Sequence, residues 1–246
     1  MLFRSTQLLA PGSSLGGARP KASVRDEEGA LCIAKFPSRA DTRNMAAWEM
    51  LAHRLGAKCG IDLPQARLLG EREQSTFLVK RFDRTADGGR LAFVSAMTLT
   101  QRKDGEAGAS YLELVELLQR QGAQTLKDTH QLFRRIVFSI LIHNTDDHLR
   151  NHGFFVEAHG IRLSPAFDVN PSVEREDLTL AINETETACD VAIAREAHRL
   201  YGLTLREADA VIDEVGSAVR GWRVVAGELR ISRSEMEMMA GAFESE

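Results

Sequence analysis

Short apolar runs separated by turn residues fill most of the first third of the chain. Runs of this length and spacing are typical of β-strands. They predict strands at residues 22–25, 31–36, 66–69 and 76–79. A charged turn at residues 26–29 separates the first two of these strands.

A different spacing follows the second strand, where apolar side chains recur at every third or fourth residue. This spacing places them on one face of a helix. The apolar positions are Met45, Trp48, Leu51, Ala52 and Leu55. We predict that the helix begins at Asp41 or Thr42 and ends at Gly56.

The pattern becomes mainly helical from about Ser95 onward. Ser110 and Glu113 have the spacing of a capping box, which predicts a helix over residues 111–121. A strongly apolar stretch at residues 132–142 predicts a second, deeply buried helix.

A polar stretch at residues 143–152 interrupts this helical pattern, and a hairpin turning at residues 157–160 is predicted after it. Arg134 and Arg135, within the buried helix, are expected on a solvated face. After Pro171 the chain is predicted to be helical again. Two further capping boxes are formed by Thr204 with Glu207 and by Ser232 with Glu235.

Strands in the first third and helices afterwards indicate an α+β fold with two lobes. We expect a small β-rich N-terminal lobe over residues 1–84 and a larger, mostly helical C-terminal lobe over residues 85–246. A chain of 246 residues buries enough apolar surface to need no disulfide or metal for stability.

Composition narrows the class of protein but names no activity. The net charge of −4 gives no overall reason to expect binding to nucleic acid or to a membrane. The three cysteines, Cys32, Cys59 and Cys189, are far apart and odd in number, which favours a reducing compartment. No apolar stretch approaches the length of a membrane span, and the N-terminus lacks a secretory pattern. We therefore expect a cytoplasmic protein.

The most informative stretch for chemistry is the polar loop from Asn144 to Asn151, since it directly follows an apolar helix. Asp146 and Asn151 are five residues apart, which is the spacing of base and metal ligand in the protein-kinase catalytic loop. There, the Asp accepts the proton of the attacking hydroxyl and the Asn holds Mg²⁺. The alternative interpretation is a polar helix cap with charges facing solvent.

Two further residues extend this pattern in the order that a kinase requires. Asp168 follows the predicted hairpin, 17 residues after Asn151, where a kinase carries its second Mg²⁺-binding Asp. Lys35 lies within an apolar strand, which is costly for a cation unless it meets an anion. It has the position of the strand Lys that holds ATP phosphates, and Glu49 on the next helix is its candidate partner. The alternatives are a turn Asp and a Lys pointing to water.

A Gly-rich stretch, residues 12–21, precedes these residues, and its glycines allow backbone amides to approach phosphate closely. Taken together, the segments GSSLGGARPKA, IAKFPS, VKRFDR, NTDDHLRNHGF and SPAFDVNP resemble HipA, the serine/threonine kinase toxin of bacterial toxin–antitoxin modules. The resemblance covers roughly residues 10–240 and implies a protein-kinase-like fold that uses ATP and Mg²⁺.

The resemblance also implies roles for individual residues. Asp146 would be the catalytic base, while Asn151 and Asp168 would bind Mg²⁺. Ser14, or its neighbour Ser13, would be the site of autophosphorylation. The residues implied in ATP binding are Gly16, Gly17, Ala18, Arg19, Lys21, Lys35, the hinge residues Lys80, Arg81 and Phe82, His148, Asn151, Phe167 and Asp168.

Partners follow from the same resemblance. The protein substrate would be an aminoacyl-tRNA synthetase, and a HipB-like helix-turn-helix antitoxin would link the chain to DNA only indirectly. Relatives usually carry an extra N-terminal subdomain, whereas this chain begins 11 residues before Gly12. That subdomain is either lost, encoded upstream of this start, or supplied by a separate small protein. No membrane partner is expected.

Two other functions remain open at this point. His148 and His152 have the i, i+4 spacing of metal ligands on one helix face, which would suit a metal-dependent phosphohydrolase. Alternatively, the chain is a catalytically silent pseudokinase that serves as an interaction subunit. Phosphate transfer from ATP, with Asp146→Asn as the control, distinguishes these alternatives from a kinase.

Overall fold

Two small antiparallel sheets and eight helices make up the described part of this computed structural model, residues 19–70 and 75–244. The first sheet has four strands in the order β1-β2-β4-β3. Its strands are β1 (Lys21–Arg25), β2 (Leu31–Lys35), β3 (Ala66–Leu69) and β4 (Thr76–Lys80). All four predicted strands are therefore present, with bounds that shift by at most one residue.

Helix α1 (Met45–Lys58) follows the second strand, as its apolar spacing predicts. Its start differs from the prediction, because Asn44 is the N-cap and its side chain accepts a hydrogen bond from the Ala47 amide. The helix also continues past Gly56 and is capped by Cys59. An Asn side chain is as good an N-cap as Asp or Thr, so spacing alone did not select the start.

The second sheet has three antiparallel strands in the order β5-β6-β7. They are β5 (Phe93–Ser95), β6 (Gly153–Glu157) and β7 (Gly160–Leu163). Strands β6 and β7 form the predicted hairpin. Strand β5, which precedes most of the helices, pairs with β6. Strand β6 begins directly after the polar loop, so this sheet fixes where that loop ends.

Most of the remaining chain is helical. The helices are α2 (Ala96–Leu99), α3 (Tyr111–Gln121), α4 (Thr125–Leu141), α5 (Val191–Glu196), α6 (Leu205–Arg220), α7 (Trp222–Glu228) and α8 (Arg233–Met239), with 3-10 turns at Leu149–Asn151, Ala197–Tyr201 and Ala240–Ala242. The capping boxes predicted from Ser110 and Thr204 are both present, each with its Glu at N3. No helix in the described ranges is long and apolar enough to cross a bilayer.

One large apolar core joins α1 to the C-terminal helices, whereas the first sheet has a small core of its own. Trp48 of α1 and Phe138 of α4 are both buried in the large core, as predicted. The observed architecture confirms the α+β, kinase-like fold class, with a β-rich N-terminal part and a helical C-terminal part. The boundary between residues 84 and 85 stays a prediction.

Three further expectations from the sequence are wrong. The chain after Pro171 is irregular until α5 begins at Val191. Arg135 is buried rather than solvated, because its Nη2 donates to the Ser164 carbonyl at 2.6 Å. The third capping box does not close: Ser232 caps α8, but the Glu235 carboxylate contacts another helix, as described below.

The hairpin turn gives a stability prediction. Gly160 has φ +136°, and a Cβ atom there would lie 2.2 Å from the Gln121 carbonyl oxygen. Gly160→Ala should therefore destabilise the fold by about 2 kcal/mol, since neither backbone segment can move freely. Gly105→Ala is the matched control, with φ +75° but open space at its Cβ, and it should cost about 1 kcal/mol. Urea denaturation measures both, and equal losses would contradict the clash.

Candidate active site

Lys35 lies between two carboxylates that come from distant parts of the sequence. Its Nζ lies 2.5 Å from Glu49 Oε1 and 2.6 Å from Asp168 Oδ1. The contact with Glu49 is the one expected from the sequence. The contact with Asp168 spans 133 residues of sequence, so the fold brings the N-terminal sheet, α1 and the C-terminal part together at this lysine.

Each of the three residues is held by a different element. Lys35 is the last residue of β2, a strand paired on both sides. Glu49 lies in the second turn of α1 and is 8% exposed. Asp168 follows β7 and has φ +58°, an uncommon conformation for a residue other than glycine.

These charged side chains shift one another's pKa values. Burial acts to lower the pKa of Lys35, but the carboxylates of Glu49 and Asp168 outweigh it, and the pKa is raised. Burial acts to raise the pKa of Asp168, but Lys35 outweighs it, and Lys21 and His148 lower the pKa further. Lys35 is therefore a cation and Asp168 an anion throughout the physiological pH range.

The polar loop follows α4 and carries Asp146 on its exposed side. The Asn151 side chain donates from Nδ2 to the Asp146 backbone carbonyl at 3.3 Å. Residues 149–151 form a 3-10 turn, not an α-helix, so His148 and His152 do not share a helix face as the hydrolase interpretation requires.

Asp147, the immediate neighbour of Asp146, is buried and fully engaged. The Tyr111 hydroxyl donates to Oδ2 at 2.7 Å, and His152 Nε2 donates to Oδ1 at 2.9 Å. Burial alone would raise the pKa of Asp147, but His152 and these two hydrogen bonds lower it. The carboxylate therefore stays ionised and anchors the loop to α3. Neither Tyr111 nor His152 carried a signal in the sequence for this role.

Asn144 is a second anchor, and no sequence pattern indicated it. Its Nδ2 donates to Ser139 Oγ in α4 at 3.2 Å, and its Oδ1 accepts from the Asn170 amide at 3.0 Å. Asn144 is 2% exposed, so both bonds are shielded from water. The loop that carries Asp146 is thereby tied to the segment that carries Asp168. The spacing of Asn144 to Asp146 alone gives no indication of this cross-link.

Four aromatic rings cluster beside the Asp168 segment: Phe82, Phe93, Phe155 and Phe167. The Phe82 ring lies 5.5 Å from both Phe93 and Phe167, measured between centroids. The predicted hinge thus meets the residue that precedes Asp168. The amides of Lys80 and Arg81 donate to the carbonyls of Gln65 and Leu31, so both are already bonded within the first sheet.

The remaining predicted residues are placed only in part. Arg19 forms an ion pair with Asp41 and lines the same pocket as Lys35 and Glu49. Lys21 lies opposite Lys35 in the register of β1 and β2. The predictions for Ser13, Ser14, Gly16, Gly17 and Ala18 fall outside the described residues.

The side-chain oxygens of Asp168 and Asn151 are suitable ligands for a hard divalent cation. Asp168 supplies a carboxylate with a partly exposed side chain, and Asn151 supplies an amide oxygen, since its anchoring hydrogen bond uses Nδ2. Such oxygen ligands are the type that Mg²⁺ prefers. Within the described residues, no three His, Cys, Asp or Glu side chains group as ligands for a metal such as zinc.

The fold and this arrangement of charges define a protein-kinase-like class, and comparison with known proteins gives the family. The profile described as HipA-like C-terminal domain matches residues 13–222. The chain therefore belongs to the family of HipA-like C-terminal domains, as the sequence resemblance indicated.

Curated relatives carry kinase names. The chain is 23% identical over 206 residues to "Putative kinase Y4mE" of Sinorhizobium fredii, a match covering 76% of this chain and 48% of that protein. It is 27% identical over 194 residues to "Putative kinase" of Haemophilus influenzae, a match covering 69% and 56%. The chain thus spans about half the length of the curated relatives that it matches.

Solved structures show the same fold. One neighbour comes from the Shewanella oneidensis MR-1 HipA, HipB and operator DNA complex, with a TM-score of 0.70 and 17% identity. It covers 94% of this chain and 63% of that chain. The Helicobacter pylori proinflammatory kinase CtkA gives a TM-score of 0.64 at 14% identity, covering 97% and 93%. At these identities the likeness concerns the fold alone.

Proposed function

We propose that this chain is an ATP-dependent protein kinase that transfers the γ-phosphoryl group of ATP to a serine or threonine hydroxyl. The observation that carries the proposal is Lys35, held between Glu49 and Asp168 at 2.5 and 2.6 Å. In protein kinases the strand Lys and helix Glu pair in this way, and the Asp beside them holds Mg²⁺. Family membership and the kinase names of the relatives support the same activity.

The chemical roles follow from the position of each group. Asp146, which is exposed, accepts the proton of the attacking hydroxyl while the hydroxyl oxygen bonds to the γ-phosphorus. The bond from that phosphorus to the bridging oxygen breaks, and ADP leaves. Lys35 neutralises phosphate charge, and Asn151 and Asp168 would hold Mg²⁺, which shields the phosphate oxygens when it is bound.

The environment of the two adjacent aspartates supports Asp146 as the base. Both oxygens of Asp147 already accept hydrogen bonds, from Tyr111 and His152, and the side chain is 7% exposed. A carboxylate in that position reaches no substrate hydroxyl. Asp146 faces solvent on the same loop, beside the amide of Asn151.

The nucleotide base would lie against the aromatic cluster near Phe82 and Phe167. Because the amides of Lys80 and Arg81 are bonded within the first sheet, pairing with adenine falls to the Phe82 amide and to hinge carbonyls. The Gly-rich loop, including Gly16, Gly17 and Ala18, would cover the phosphates together with Arg19, Lys21 and His148. Lys21 and His148 are both close enough to affect the pKa of Asp168.

Partners are inferred from the family. A neighbouring structure holds HipA with HipB and operator DNA, so we infer a HipB-like helix-turn-helix antitoxin as the partner of this chain. The protein substrate is proposed to be an aminoacyl-tRNA synthetase.

Mass spectrometry after incubation with Mg-ATP tests the proposal directly. The intact chain should gain a phosphate, and peptide mapping should place it on Ser13 or Ser14. Lys35→Met should remove the modification and weaken Mg-ATP binding in calorimetry about tenfold or more, because a charge-assisted contact to phosphate is lost. Lys103→Met, on an exposed loop, is the matched control and should behave as the original chain. Absence of Mg-ATP binding in the original chain would refute the proposed function.

A further inference from the structure

The Glu235 carboxylate reaches from the C-terminal segment to the first turn of α1. Its Oε2 accepts from the Asn44 amide at 3.2 Å and from Trp48 Nε1 at 3.0 Å. Asn44 is the N-cap of α1, and Trp48 lies in its first turn. A carboxylate at this position bonds a backbone amide and also interacts favourably with the positive end of the helix dipole.

Aromatic packing surrounds the Trp48 end of this contact. The Trp48 ring lies 6.1 Å from the rings of both Trp222 and Phe243, measured between centroids. Trp222 and Phe243 are themselves stacked at 4.6 Å. Trp48 and Trp222 are 1% and 2% exposed, so the hydrogen bond from Trp48 to Glu235 has a buried donor. Losing the acceptor would leave that indole N–H without a partner in an apolar site.

Glu49, which pairs with Lys35, directly follows Trp48 in α1. The first turn of α1 therefore sets where the Glu49 carboxylate lies relative to β2. Lys35 lies in the first sheet and Glu49 on α1, whose apolar face packs in the large core, so the ion pair links the sheet to this helix. A small rotation of α1 at its N-terminus would lengthen a contact that now measures 2.5 Å.

We propose that Glu235 is a positioning residue for the Lys35–Glu49 ion pair, and that α8 thereby holds the site in its assembled form. Glu235 lies beyond residues 13–222, the part of the chain that the family profile matches. The proposal deepens the proposed function, since the Lys35–Glu49 pair belongs to the proposed ATP site. It adds a structural control of that site by the C-terminal segment.

Acetylation of Lys35 tests the proposal without requiring ATP binding. An N-hydroxysuccinimide ester reacts with a free amine, and the Lys35 amine is engaged by Glu49 and Asp168. Glu235→Ala should increase the Lys35 acetylation rate about tenfold, because a lengthened Lys35–Glu49 contact leaves the amine free to react. Peptide mass spectrometry of the full chain gives this rate relative to the exposed residues Lys103 and Lys127.

A double variant separates positioning from general loosening. Glu49→Gln should also accelerate acetylation of Lys35, and Glu235→Ala added to it should cause no further increase, because both act through one contact. Glu228→Ala is the matched control, since Glu228 also links the C-terminal segment to α1, through exposed Arg54 at 3.3 Å. It should leave the Lys35 rate unchanged. Glu235→Gln should restore nearly the original rate, since its amide oxygen can accept both hydrogen bonds.

Several results would overturn the proposal. One is an unchanged Lys35 rate in Glu235→Ala, and another is a further acceleration in the double variant. Should Glu235→Ala fail to fold, Glu235→Asp shortens the side chain by one methylene and must show a smaller acceleration of the same sign. Mg-ATP calorimetry on the original chain runs beside these measurements. Lack of ATP binding refutes the proposed kinase, whereas the acetylation rates decide the role of Glu235 independently.

Discussion

Asp146→Asn is expected to lower the rate of phosphate transfer by about 10²–10⁴-fold, the usual contribution of a positioned general base. Asn keeps the size and polarity of the side chain but cannot accept the hydroxyl proton. Since Asp146 is exposed, its replacement should change the free energy of unfolding by less than about 0.5 kcal/mol. The measurement is incorporation of labelled phosphate from ATP, with urea denaturation run on the same samples.

The matched control for this variant is Asp104→Asn. Asp104 is also an exposed aspartate near the catalytic loop, where it pairs with Arg150 at 2.7 Å. It contacts none of the residues assigned to catalysis, so its replacement should leave phosphate transfer unchanged. An active Asp146→Asn variant would show that the base has been assigned to the wrong residue.

Local sequence patterns predicted the regular elements well, because each of those patterns has a local physical cause. The helix Tyr111–Gln121 has the bounds that its capping box predicts, since both partners of the box lie within four residues. The strand Ala66–Leu69 likewise matches its apolar run. In contrast, the segment between Pro171 and Val191 is held by contacts that are distant in sequence, such as Thr179 Oγ1 donating to the Thr145 carbonyl.

Spacing also identified the candidate catalytic residues, but not their environment. The order of Lys35, Asp146, Asn151 and Asp168 pointed to one site, and the fold places Asp168 on Lys35. Whether Asp146 or Asp147 faces solvent depends on Tyr111, which lies 36 residues earlier. Sequence spacing carries no information about such a contact. The same limit explains Glu235, whose expected local partner was replaced by Asn44 and Trp48, 191 and 187 residues away.

Replacing Asp147 is expected to lower the free energy of unfolding strongly, whereas replacing Asp146 is expected to lower mainly the rate of phosphate transfer. Asp147→Ala removes a carboxylate that accepts from Tyr111 and His152 and leaves both donors buried without their partner. Breaking a buried charged contact on one side typically costs about 3–5 kcal/mol. Urea denaturation should show this loss, whereas Asp146→Ala, one residue away but exposed, should cost less than about 0.5 kcal/mol. If the two variants are equally stable, Asp147 does not anchor the loop.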